Sequence, residues 1–421
     1  MSNLPPNFLL GTATAALQIE GGDTNNNWYR WSELGKIENG EHCITACDHW
    51  NRIEEDVQLM ADLRVDTYRL GLEWSRIQPE KDRFDEAAIK KYKYEIDLLL
   101  EHNIKPLVTL WHFSHPLWFE DMGGWTNPDS ISFYLEYTKF VIEHLGDVVS
   151  DWITFNEPNV YLTFGYFDGR WPPGEKGNVK SYLKAASHFI EAHKKAYRVI
   201  HTARSQKGHK DTLVGAAHHL RIFDLYNDSP LSKFARSLMD RLFHRIFLEG
   251  MTIGKSIFPI HSISKDSLEP CSDFLGINYY TRDFIKGAFK PSELFGEVLL
   301  NEGCEVNDLN WEIYPEGIKR ICKKMHSLYN LPIFITENGT CDAKDSFREK
   351  YIKTHLEKTL EAVDDGVDVQ RFYYWTLMDN FEWTEGYAPR FGLYEVDFET
   401  QKRTLRKSGE YFKKVCESRQ V

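Results

Sequence analysis

Hydrophobic positions along this chain follow two alternating rhythms. Eight short runs place apolar residues on consecutive positions: Phe8–Ile19, Thr67–Ile77, Pro106–Phe113, Trp152–Phe155, Leu213–Leu220, Phe274–Tyr280, Ile333–Thr336 and Phe372–Leu377. Runs of this kind, rich in β-branched and aromatic residues and bounded by turn formers, predict strands buried on both faces. Between them, apolar residues recur at three- and four-residue spacing. Arg52–Leu63 sets Ile53, Val57, Met60 and Leu63 on one helical face. Glu86–His102 follows Asp85, a capping residue, and directs Ile89, Tyr92, Ile96 and Leu99 inward. The same spacing predicts helices over Ile131–Leu145, Tyr182–Thr202, Ser229–Leu248, Glu316–Tyr329, Phe347–Asp365 and Arg406–Glu417.

A β-α unit repeated eight times is the pattern of a closed parallel barrel. The expected fold is α/β, a single (β/α)8 TIM barrel forming one catalytic domain over residues 1–421. The chain shows no linker, no low-complexity segment and no repeat beyond this alternation. Three longer connections, Ser114–Pro128, Val160–Gly177 and Thr281–Asn310, look irregular and carry Gly and Pro. Long loops after barrel strands are where active-site walls are expected.

Composition narrows the function classes. The formal net charge is −12, spread along the chain, and no basic cluster points to a nucleic-acid partner. With 12 Trp and 21 Tyr, the chain is rich in flat faces with polar edges, which suit a sugar cleft as well as a large core. Seven cysteines at irregular spacing suggest no disulfide framework and fit a reducing compartment. Cys43-x-x-x-Cys47 with His49 nearby lacks a second ligand pair, so no metal is expected. Met1–Phe8 lacks a basic leader region, and no run approaches the ~20 apolar residues of a membrane span. A cytoplasmic protein is expected.

The chemistry lies at the strand ends. In Pro332-Ile333-Phe334-Ile335-Thr336-Glu337-Asn338-Gly339 a buried strand ends in a carboxylate, and Trp152-Ile153-Thr154-Phe155-Asn156-Glu157-Pro158 does the same. A charge at such a place costs several kcal/mol, roughly, unless partners compensate. Two of them, far apart in sequence, suggest one site built from both halves of the chain. The C-terminal face of the predicted barrel carries Gln18, Arg69, His112, Asn156, Glu157, Tyr280, Glu337, Trp375 and Glu382. There is no Gly-rich phosphate loop after the first strand and no His–carboxylate cluster with metal spacing. Two glutamates among hydroxyl-binding groups fit glycoside hydrolysis, which needs one carboxyl to protonate the leaving oxygen and another at the anomeric carbon.

These residues resemble glycoside hydrolase family 1, the β-glucosidase/β-glycosidase family. The resemblance rests on Thr154-Phe155-Asn156-Glu157-Pro158, Ile335-Thr336-Glu337-Asn338-Gly339, Gln18-Ile19-Glu20-Gly21, Tyr68-Arg69 with Glu73-Trp74-Ser75-Arg76, Asn278-Tyr279-Tyr280, and Trp375 through Trp383. It covers the chain from Phe8 to about Lys413. It implies Glu157 as acid/base and Glu337 as nucleophile, with Arg69 and Tyr280 holding Glu337 ionised. It implies Asn156 on the sugar 2-hydroxyl, and Gln18, His112 and Glu382 on other hydroxyls. Trp375 would form the floor, and Trp383 would donate its indole N–H. The expected activity is retaining hydrolysis of terminal β-D-glucosyl residues through a covalent glycosyl-enzyme, with galactosyl and fucosyl residues left open and no cofactor. The expected partner is a small β-glycoside or oligosaccharide. Many members of the family continue His-Trp-Asp where this chain has His112-Phe113-Ser114, which bears on sugar selectivity. Two alternatives are a 6-phospho-β-glucosidase, disfavoured because Glu382 would repel a phosphate, and a non-catalytic glycan-binding barrel, disfavoured because both glutamates are present.

Overall fold

The structure is a computed structural model and describes residues 3–260, 271–290 and 293–421. The strands are β1 (Leu9–Ala13), β2 (Thr67–Gly71), β3 (Lys105–Thr109), β4 (Asp151–Asn156), β5 (Leu213–His219), β6 (Ile222–Leu225), β7 (Leu275–Asn278), β8 (Arg282–Gly287), β9 (Gly296–Leu299), β10 (Ile333–Asn338), β11 (Val369–Trp375), β12 (Tyr394–Asp397) and β13 (Lys402–Leu405). Eight of these close into a parallel barrel in the ring order β1–β2–β3–β4–β5–β7–β10–β11, with β11 returning to β1. This is the (β/α)8 architecture expected from the alternation.

The barrel strands are almost wholly buried, because the barrel interior is filled and helices cover its outside. The helix Glu86–Glu101 shows how. Asp85 accepts from the Ala87 and Ala88 N–H groups, and Ile89, Tyr92, Ile96 and Leu99 are buried. Helices Ile53–Asp62, Ser130–Leu145, Val179–Gln206, Glu316–Tyr329, Arg348–Asp364 and Lys407–Ser418 follow the predicted spans closely. At the N-terminal rim Asp151 pairs with Lys105 (2.9 Å) and Arg371 (2.5 Å), an arrangement that ties three strands together far from the other mouth.

Two predicted strands are too long. Phe8–Ile19 is β1 followed by a short helix, Ala16–Glu20, and Thr67–Ile77 is β2 followed by the helix Trp74–Ile77. These small helices sit inside the lip of the barrel, where nearly every face is buried, so they carry the same continuous apolar composition as a strand. The Glu73 side chain caps the second by accepting from Ser75 N (3.4 Å), and it also accepts from Ser75 Oγ (2.6 Å) and Ser114 Oγ (2.9 Å). Burial pushes the Glu73 carboxyl up to about 8, with the Asp23 charge adding to the rise.

The predicted helix Ser229–Leu248 is three segments: Pro230–Met239, a π-helical turn Asp240–Arg245, and Ile246–Thr252. The connection Thr281–Asn310 is more regular than its composition suggests, although its residues 291–292 lie outside the described ones. There β8 and β9 form an antiparallel pair, and β6 joins β8 in parallel. This small sheet packs on Pro230–Met239 through its own apolar cluster of Ala235, Met239 and Ile285. It forms a side wall above the barrel mouth. Ser114–Pro128 likewise contains a short helix, Leu117–Asp121, and Val160–Gly177 begins in the helix Pro158–Leu162 and passes into a π-helical turn, Thr163–Asp168.

Candidate active site

The two carboxylate-bearing strands both change register near their C-terminal ends. On β4 the pairing with β5 shifts between Ile153 and Asn156, and on β10 the pairing with β7 shifts between Ile335 and Glu337. Such irregularities at a barrel rim re-aim side chains. Glu157 follows β4 in a left-handed conformation (φ 41°, ψ 55°), and Pro158 then starts a helix. For a residue with a Cβ this conformation costs roughly 1–3 kcal/mol. It turns the chain sharply between strand and helix. Beside β10, a Cβ on Gly339 would lie 1.7 Å from the Trp375 carbonyl oxygen, so only glycine allows β10 and β11 to meet this closely at the mouth.

Arg69, fully buried on β2, organises the centre. Its Nη1 donates to Glu337 Oε1 (2.5 Å) and the Thr336 carbonyl (3.1 Å), its Nη2 to Asn156 Oδ1 (2.6 Å), and its Nε to Thr109 Oγ1 (3.1 Å). Tyr280 donates its hydroxyl to the other oxygen of Glu337 (2.6 Å). On the neighbouring strand β7, in register with Glu337, Asn278 Nδ2 donates to Glu157 Oε1 (2.7 Å) and Asn156 Oδ1 (3.0 Å), while its own Oδ1 accepts from Thr336 Oγ1 (2.6 Å). His219 Nδ1 lies 3.0 Å from the same Glu157 oxygen. One continuous polar network therefore joins the two glutamates. Burial raises the Glu337 carboxyl to about 7; the Arg69 cation pulls it down, the Glu157 charge pushes it up, and the hydrogen bonds from Tyr280 and Arg69 lower it.

The network also fixes an imidazole. Asn156 Oδ1 is taken by Arg69 and Asn278, so its amide nitrogen donates to His112 Nε2 (2.9 Å). That places the His112 proton on Nδ1. Burial and the Arg69 charge hold His112 well below its ordinary value, and hence neutral. Its Nδ1 is buried and has no protein partner among the described residues, and neither has Gln18 Oε1. Unpartnered buried polar atoms in a cleft are what a polyhydroxylated ligand would satisfy. Gln18 Nε2 donates to the Phe381 carbonyl (2.7 Å), Asn380 Oδ1 (3.1 Å) and Glu382 Oε2 (3.1 Å). Burial, with the charges of Glu385 and Glu337, raises the Glu382 carboxyl well above its usual range, and the Gln18 hydrogen bond lowers it.

Aromatic rings floor the site. His112 lies nearly parallel to Trp375 (5.8 Å, 27°) and to Trp383 (5.8 Å, 20°). Phe113 packs against Trp383 (5.0 Å) and Trp171 (5.0 Å) and itself lines the cavity, so the departure from His-Trp-Asp falls in the wall of the site. Of the ten residues expected from the sequence, His112, Asn156, Glu157, Tyr280, Glu337, Trp375, Glu382 and Trp383 line a single cavity. Arg69 and Gln18 adjoin that lining, Arg69 bonding Glu337 and Asn156 and Gln18 bonding Glu382.

Sequence reasoning passed over Asn278, His219 and Thr109. Asn278 is the last residue of β7 and lies inside a quoted motif, so its strand-end position was a usable signal. His219 follows another histidine on β5, and alternation alone could not tell which of His218 and His219 faces the mouth.

A closed (β/α)8 barrel with two buried glutamates joined by one hydrogen-bond network at its C-terminal mouth marks a glycoside hydrolase. The chain belongs to glycosyl hydrolase family 1, whose sequence profile matches residues 1–421. It is 33% identical to "Beta-glucosidase A" of Acetivibrio thermocellus over 98% of both chains. Among solved structures it resembles a β-glycosidase from Pyrococcus horikoshii (TM-score 0.91, 36% identity, 100% of this chain and 96% of that one). It also resembles a β-glucosidase from Thermotoga maritima in complex with deoxynojirimycin (TM-score 0.92, 31% identity, 100% of both chains). Among the described residues no helix is long and apolar enough to cross a membrane.

Proposed function

We propose that the protein is a retaining β-glucosidase, a single catalytic domain that works in two steps through a covalent intermediate on Glu337. The observation that carries this is the asymmetry between the glutamates. Glu337 touches a buried guanidinium and a phenol, groups that favour its anion, while Glu157 touches an amide and an imidazole. The Arg69 cation, 2.5 Å from Glu337, favours the anion there.

In the first step Glu337 attacks the anomeric carbon while Glu157 hands its proton to the leaving oxygen. Glycosylation then neutralises Glu337, and its repulsion of a charge on Glu157 disappears. Glu157 becomes the base that takes a proton from water, whose oxygen replaces Glu337 at the anomeric carbon. Asn156 is held by Arg69, Asn278 and His112, so it presents a fixed amide to the sugar 2-hydroxyl. Gln18, His112, Glu382 and Trp383 take the remaining hydroxyls above the Trp375 floor. The glucosidase names of the relatives, and the sugar-like inhibitor in one of the structures resembling this chain, support this reading.

The 6-phospho reading finds no support at Glu382. That carboxyl lies among other acids and would face the phosphate. Proton NMR during the first minutes of aryl β-glucoside hydrolysis tests the mechanism. The β-anomer of glucose should appear first. First appearance of the α-anomer would replace the covalent mechanism with direct attack by water.

A further inference from the structure

A cluster of acids that the mechanism does not use lies behind the loops of the first three barrel strands. Glu73 is buried after β2, and Asp23 lies after β1, in the loop beyond Gln18. Ser75 Oγ stands between them, 2.5 Å from Asp23 Oδ2 and 2.6 Å from Glu73 Oε1. A hydroxyl has one proton and cannot donate to both oxygens. A second proton must therefore be held by the carboxyls. Asp23 also accepts from the Asn25 N–H (3.0 Å) and the Asn26 amide (2.8 Å). No cation bonds Glu73 among the described residues, because Arg76 is taken by Glu20 (2.6 Å) and the Gly21 carbonyl. Glu20 and Cys43 share a small cavity with Glu73. Tyr92 accepts from the Glu73 N–H (2.9 Å) and donates to Glu20 (2.6 Å), and Tyr137 faces the same acids from the helix Ser130–Leu145. Burial, with the Asp23 charge adding to it, raises the Glu73 carboxyl to about 8, so the proton stays at neutral pH.

This cluster is tied to the wall of the sugar site at two points. Ser114, where many members of the family have Asp, donates its Oγ to Glu73 Oε1 (2.9 Å). An Asp there would set one more acid against Glu73. From the other end, Asp23 leads through Asn26 to Asn27 and Trp28, whose Nδ2 (3.2 Å) and Nε1 (3.1 Å) donate to the Phe113 carbonyl. Phe113 lines the cavity with a left-handed backbone (φ 69°), which a residue with a Cβ keeps only where its surroundings hold it. Beside it His112 offers its unpartnered Nδ1, and Trp28 packs against Trp383 (4.8 Å).

We propose that Glu73 is a positioning residue for sugar binding: with a proton held in the cluster, the chain Asp23–Ser75–Glu73–Ser114 draws the loops after β1, β2 and β3 together around Phe113, and loss of that proton loosens them. The inference rests on the sugar-binding roles given to His112 and Trp383 above. Deprotonation sets two anions across one hydroxyl. A raised carboxyl holds its proton on the acid side of about 8 and loses it above, so the tie weakens in alkaline solution. Glu157 and Glu337 belong to the ends of β4 and β10, so affinity should fall and the bond-breaking steps should not change.

The test is the inhibition constant of methyl β-D-thioglucoside, a neutral analogue, against aryl β-glucoside hydrolysis, measured with kcat on both sides of pH 8. On the acid side Glu73→Gln, neutral at every pH, should match the unchanged protein. On the alkaline side the unchanged protein should bind about two- to twelvefold more weakly than Glu73→Gln, the value of one hydrogen bond. Ser114→Ala cuts the tie and leaves the proton, so it should weaken binding by a similar factor already on the acid side. The pH profile of kcat should be the same in all three. Equal alkaline loss of affinity in Glu73→Gln and the unchanged protein, or unaltered binding by Ser114→Ala, would overturn the proposal. So would a Glu73→Gln that changes kcat and the inhibition constant together at every pH, the mark of a merely structural residue. If the unchanged protein neither cleaved a β-glucoside nor bound the thioglucoside, the glucosidase reading would fall and this proposal with it.

Discussion

Replacing His219 by Phe would separate proton donation from the rest of catalysis. Phe keeps a ring in the stack against Tyr280 (5.8 Å, 18°) and beside Phe243, so the wall should stay intact. What it removes is the 3.0 Å contact from Nδ1 to Glu157 Oε1, while Asn278 remains on that oxygen at 2.7 Å. As Glu157 gives up its proton, charge grows on the carboxylate and the imidazole hydrogen bond becomes charge-assisted. Such a bond is worth about 1.5–3 kcal/mol, against about 0.5–1.5 kcal/mol for a neutral one. Only the difference, about 1–1.5 kcal/mol, acts on the barrier, which is roughly a 5- to 12-fold loss. The loss should appear in kcat/KM for glucosides of poorly acidic alcohols. It should nearly vanish for dinitrophenyl glucoside, whose leaving group needs no proton. The second step should not slow, because Glu157 gains a proton there and an unassisted carboxylate is the stronger base. A leaving-group series on the purified variant reads this directly. Equal loss across the series, or a greater loss with dinitrophenyl glucoside, would refute this role for His219.

Other outcomes follow from the same geometry. Glu337→Gly should lose several orders of magnitude of activity, and azide should restore turnover of activated glucosides as the α-glucosyl azide, identified by NMR. Glu382→Ser should lower kcat/KM for glucosides by about two- to twelvefold, the value of one hydrogen bond, with little change in the thermal midpoint. Because Glu337 must be ionised to attack and its carboxyl is raised to about 7, kcat/KM should fall about tenfold per pH unit below that value, read from a pH–rate profile. Glu73, also raised, binds its proton more tightly folded than unfolded, so its contribution to stability is present below about 4.5 and lost as pH rises to about 8. Glu73→Gln should therefore gain in thermal midpoint over the unchanged protein across that window and hold its gain above it.

Much of the barrel was legible because a strand buried on both faces has no polar alternation to disguise it. Ile333, Phe334 and Ile335 could hardly be anything else beside Pro332 and Gly339. Legibility failed where burial was complete but the backbone was not extended. Leu17, Gln18 and Ile19 are all buried, yet they belong to a helical turn, and composition cannot separate the two cases. The β8–β9 pair was missed for the opposite reason, since its strands are short and partly exposed and read as loop. In the site, the charged and aromatic groups announced themselves at strand ends. Asn278 did not, because a neutral amide costs less to bury than a charge and so stands out less at a strand end. Its importance lies wholly in spanning Asn156 and Glu157, a relation that exists only in three dimensions.

The ring order has a consequence for how activity is born. Strand β1 finds its second neighbour, β11, only when nearly the whole chain has emerged, and the Arg69–Glu337 bond joins strands from opposite ends of that wait. Such long-range pairing is slow to form. A nascent chain that has paired β4 with β5 still lacks both Asn278, which bonds Glu157, and the nucleophile. Catalysis should therefore switch on late and all at once. During refolding, the return of glucoside hydrolysis would act as a clock for the final closure of the ring, lagging behind the helical signal that any partly wound intermediate already displays.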